Sequence, residues 1–65
     1  MSCSKHQKLI KSTNNELKYE AAMKYYDKGD YYRALQLFDQ LIPVYRGTSQ
    51  SEDLLFKYAY SYFNQ

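Results

Sequence analysis

Apolar residues recur at spacings of three and four along most of this chain, and no segment alternates apolar with polar strictly enough to be a strand. Leu17, Ala21, Ala22 and Tyr25 follow the helical period and predict one helix over about residues 15–28. Ala34, Leu35, Phe38, Leu41 and Ile42 form a stronger stripe and predict a second over about 31–45. Leu54, Leu55, Tyr58, Ala59 and Tyr62 predict a third over about 50–64. The fold class expected is all-α, with three antiparallel helices.

Local signals place the boundaries. Within "YYDKGDYY" a mid-helix glycine would cost roughly 1 kcal/mol relative to alanine, so Gly29 closes the first helix and Asp30 opens the second. Thr13 with Glu16, and Ser49 with Glu52, have the spacing of capping boxes at the starts of the first and third helices. Pro43 lacks an amide donor and crowds the carbonyl of residue 39, which predicts a bent or frayed last turn before Gly47. Residues 1–12, "MSCSKHQKLIKS", hold a single apolar pair, Leu9-Ile10. They read as a flexible leader ahead of a domain over 13–65.

Composition narrows the function classes. Nine tyrosines and no tryptophan supply many rings that pair an apolar body with a polar tip, which suits half-buried faces and binding surfaces. The net charge of +2 is too small for a nucleic-acid partner. It is unevenly placed: Lys5, Lys8 and Lys11 precede the first acid, Glu16, and the remainder is close to neutral. No apolar run approaches the roughly 18 residues of a membrane span. Cys3 is the one cysteine, and with His6 it offers two metal ligands where zinc sites use three or four, so no metal is expected. Glu16, Glu20 and Asp27 fit a solvated helix face. With one histidine and no phosphate-binding glycine loop, no catalytic site and no cofactor are expected.

The first and third helices resemble each other. "AAMKYYDK" aligns with "YAYSYFNQ", placing Ala22 on Ala59, Tyr25 on Tyr62 and Tyr26 on Phe63. The separation is close to the roughly 34 residues of a tetratricopeptide repeat. Lys18, Ala21, Ala22 and Tyr25 echo that repeat's W-x2-L-G-x2-Y, and Ala34 with Phe38 its A-x3-F. Lys18 stands in place of the usual large aromatic and Arg46 in place of the terminal proline. The expected packing set is Ala21, Ala22, Tyr25, Ala34, Phe38, Leu41, Ala59 and Tyr62, small residues allowing close approach and rings filling the space beside them. A second row, Tyr19, Met23 and Tyr26 with Phe56, Tyr60 and Phe63, is expected to line a concave peptide-binding groove, or else to pack against neighbouring repeats.

Residues 18–65, above all "GDYYRALQLFDQLIPVYRGT" and "YAYSYF", resemble the first repeat and a half of BamD-type outer-membrane assembly lipoproteins, and the chain reads as an N-terminal fragment of that domain. The resemblance implies a lipid-modified Cys3 and a membrane held through that anchor at the periplasmic face of the outer membrane, although the signal peptide of that family is not in the chain. It implies a scaffold that binds the barrel-forming subunit of the assembly machinery, its other lipoproteins, and unfolded outer-membrane protein segments. The competing expectations are a soluble cytoplasmic adaptor for peptide tails and a truncated, non-functional fragment.

Overall fold

The computed structural model of the chain describes residues 3–65, with side chains from Lys5 onward. These residues form four helices: α1 (Cys3–Lys11), α2 (Asn15–Asp27), α3 (Tyr31–Val44) and α4 (Gln50–Asn64). No strand occurs among the described residues, and the all-α fold class holds.

The α2–α3 corner is built as its sequence predicts. Gly29 adopts φ 80°, the left-handed conformation that glycine enters without a Cβ penalty. The Gly29 amide donates to the Tyr26 carbonyl at 3.0 Å and the Asp30 amide to the Tyr25 carbonyl at 2.8 Å, the paired bonds of a Schellman motif. Asp30 then caps α3: one carboxylate oxygen accepts the Arg33 amide at 3.3 Å and the other the Arg33 guanidinium at 2.7 Å. A single residue thus finishes one helix and starts the next.

The other two starts differ from the expected capping boxes. Asn14, one residue after Thr13, caps α2 by accepting the Leu17 amide at 3.1 Å, and its own amide is held by the Ser12 hydroxyl at 3.0 Å. Ser49 has helical dihedrals and makes no side-chain cap bond. Glu52 and Asp53 lie in the first turn of α4, where negative charge meets the positive end of the helix dipole. Pro43 sits in the last turn of α3, which ends at Val44.

Helix α3 is central and packs against both α2 and α4. Ala22, Ala34, Leu37, Phe38, Leu41 and Leu54 are fully buried in one cluster. Leu37 joins the core because α3 is covered from two sides. On α2, Leu17 is 47% exposed whereas Lys18 is buried. The lysine stem fills the place where the repeat pattern has an aromatic, its methylenes supplying apolar bulk.

The leader is the main correction. Residues 3–11 are helical, and α1 packs on both α2 and α3. His6, Leu9 and Ile10, at spacings of three and four, form its inward stripe. His6 is buried: its Nε2 hydrogen-bonds with the Gln36 side-chain oxygen, and its Nδ1 with the Tyr25 hydroxyl at 3.1 Å. The His6 and Tyr25 rings meet edge to face with centroids 5.2 Å apart.

Candidate functional site

The face shared by α2 and α4 carries the densest group of rings. Tyr26 of α2, Tyr31 at the start of α3 and Tyr60 of α4 form a triangle with every centroid separation at 5.8 Å. Their inclined arrangements suit aromatic quadrupoles, which favour edge-to-face over face-to-face contact. Tyr26 also meets buried Phe38 at 6.3 Å, tying the triangle to the core. The Lys57 ammonium lies 5.4 Å from the Tyr26 ring centroid and pairs with Asp53 at 2.7 Å. The Asp53 hydrogen bond holds the Lys57 pKa above its ordinary value, against the opposing effect of burial.

Each residue expected in the groove has a definite place. Tyr26 and Tyr60 meet directly. Met23 is half-buried against the core between Tyr26 and Tyr19, and Tyr19 meets Tyr45 with centroids 5.1 Å apart. Burial, then the nearby Asp53 carboxylate, pushes the Tyr19 phenol up; burial and the neighbouring Tyr60 do the same for Tyr31. Phe56 and Phe63 are 66% and 86% exposed and flank Tyr60 at spacings of four and three on α4. They extend the triangle into a ledge without joining its ring contacts.

Half of the ledge is therefore packed and half is open. Tyr60 is itself 45% exposed, so Phe56, Tyr60 and Phe63 form an open row of rings beside the triangle. Tyr31, Tyr45 and Lys57 complete the site. Tyr31 is the aromatic just past the Gly29–Asp30 corner, and that position was the signal available for it.

Residues of the expected packing set are buried or half-buried on α2 and α3 and exposed on α4. Ala21 and Tyr25 are half-buried, whereas Ala22, Ala34, Phe38 and Leu41 are fully buried. On α4 the inward side is Leu54, Tyr58 and Ser61; Ala59 is exposed and Tyr62 is 63% exposed. Outside the polar stripe of Gln50, Asp53, Lys57 and Asn64, most of the α4 circumference is apolar or aromatic, so its periodicity alone does not choose a face. Tyr58 reaches Asp39, whose carboxylate raises the Tyr58 pKa.

The Cys3 side chain lies outside the described residues. Both ring nitrogens of His6 are engaged by Tyr25 and Gln36, a structural arrangement. No helix among the described residues is long and apolar enough to cross a membrane. No protein-family model, no curated protein and no solved structure matches this chain.

Proposed function

We propose that the chain is a non-catalytic, peptide-binding scaffold of the tetratricopeptide type, working in the assembly of outer-membrane β-barrel proteins. The observation that carries the reading is the aromatic ledge: a braced tyrosine triangle continued by Phe56 and Phe63 in solvent. Rings fixed on their inner side lose little freedom when a ligand covers the outer side. An extended segment with alternating aromatic side chains, as in an unfolded barrel strand, matches such a surface.

The sequence resemblance supplies the setting. It favours anchorage through a lipid on Cys3 and partnership with the barrel-forming subunit and other lipoproteins of the assembly machinery, over a soluble adaptor for peptide tails. The test is fluorescence anisotropy with a labelled synthetic peptide of alternating aromatic and polar residues ending in phenylalanine. Saturable binding is expected, weakened at least about tenfold by Tyr60→Ala combined with Phe63→Ala, as for loss of anchor rings. Equal binding by wild type and the double variant, with helicity intact, overturns the proposal.

A further inference from the structure

On the other side of α2, where it diverges from α1, lies an open cleft of about 600 Å³. Its apolar lining, here called the floor, is Leu9 of α1 with Leu17, Ala21 and the Tyr25 ring of α2, and Ser12 lies at one end. Lysines stand on both walls: Lys5 and Lys8 on α1, Lys24 and Lys28 on α2. All four are exposed. Glu20 is the one acid lining the cleft. Among the described residues the ion pairs within 4.0 Å are Arg33–Asp30 and Lys57–Asp53, so none of the four lysines is neutralised by a close carboxylate.

An apolar strip between walls that carry four lysines and one acid, Glu20, is complementary to an apolar ridge bordered by carboxylates. We propose that this cleft docks an acidic amphipathic helix from a partner protein, its apolar ridge on Leu9, Leu17 and Ala21 and its carboxylates directed to the lysines on either side. The two walls are an argument against a flat anionic membrane surface, which would meet the lysine tips and leave the floor uncovered. The α2 wall from Leu17 to Lys28 spans roughly 16 Å, the length of about three helical turns. A helix laid in a groove uses anchors at spacings of three, four and seven, which that length accommodates. The charge arrangement also sets orientation and speeds encounter.

The probe is a fluorescein-labelled synthetic helix of roughly four turns, with a leucine stripe flanked on both sides by glutamate; its counterpart carries lysine in place of each glutamate. Anisotropy with the whole chain is expected to show saturable binding of the glutamate peptide, weakened at least about tenfold by raising salt to 0.5 M. The doubly charge-reversed Lys8→Glu, Lys24→Glu variant should lose at least about tenfold in affinity and gain binding of the lysine peptide. Because both positions are exposed, circular dichroism of this variant should match wild type. Leu17→Ala should weaken the glutamate peptide while leaving its salt dependence in place, and Tyr60→Ala with Phe63→Ala should leave it unchanged. The proposal is overturned by equal binding of both peptides, by an unaffected charge-reversed variant, or by no saturation. It is also overturned if vesicles of phosphatidylglycerol bind in a Lys8- and Lys24-dependent way and the glutamate peptide does not.

Discussion

Ser61 is an unusual residue to find on the buried side of α4. It is fully buried, and its hydroxyl has no hydrogen-bond partner among the described residues. A buried hydroxyl left unsatisfied costs about 1–3 kcal/mol. Ser61→Ala removes that cost and adds a helix-propensity gain of roughly 0.5 kcal/mol, against a small loss of contact where the oxygen stood. The net expectation is a more stable protein by about 1–2 kcal/mol. For a domain of this size that is a rise in Tm of roughly 4–8 °C per kcal/mol. Thermal and urea unfolding followed by circular dichroism measure it, with Ala59→Ser as the control on the exposed side of the same helix. A Ser61→Ala variant less stable than wild type by 1 kcal/mol or more would refute the reasoning, because it would mean that the hydroxyl is bonded and α4 is rotated from the position described.

Three further expectations concern the corner, the first helix and alkaline pH. Gly29→Ala adds a Cβ that meets nothing within 4 Å, so its cost is that of the left-handed backbone alone, about 1–2 kcal/mol; a loss above 4 kcal/mol in urea unfolding would contradict an open corner. His6→Ala removes both side-chain hydrogen bonds from α1 and leaves it held by Leu9 and Ile10, so hydrogen exchange should accelerate in residues 5–11 while the amides of α2 and α3 keep their protection. Uniform acceleration across all helices would show that α1 is integral to the core. Tyr19, Tyr25, Tyr31 and Tyr58 all have pKa values raised above the ordinary 10.0. A phenol raised in the fold holds its proton more tightly folded than unfolded, so its contribution is complete below pH 10 and is lost as pH climbs past that value. Lys57, raised above 10.5, acts in the same direction. Stability should therefore fall as pH rises above about 10, and urea midpoints that stay flat there would count against the tyrosine environments.

The corner was legible because it rests on local chemistry. A glycine needing positive φ, followed by an aspartate able to cap, fixes a helix end and a helix start whatever packs around them. The α3 stripe was legible for the complementary reason, since its apolar period is strong and its polar faces are clear. Helix α1 was hidden because its inward stripe depends on His6, a residue that counts as polar until Tyr25 and Gln36 are brought to it from elsewhere in the chain. Lys18 was hidden in the same way, its buried portion being the stem and not the charge. The register of α4 was ambiguous because two apolar stripes lie side by side on it, and only the tertiary contact chooses Leu54, Tyr58 and Ser61 over Ala59 and Tyr62. Both rows, on α2 and on α4, were picked out by spacing alone, whereas the tyrosine triangle needed the corner to place Tyr31 opposite Tyr60.

Sharing Asp30 between two helices has a mechanical outcome. Its amide is held by the last turn of α2 and its carboxylate by the first turn of α3, so neither end frays without loosening the other. This coupling is expected to make the elbow stiffer than a corner closed on one side only. Shifts of α1 or α4 against it would widen or narrow the lysine-walled cleft and the tyrosine ledge.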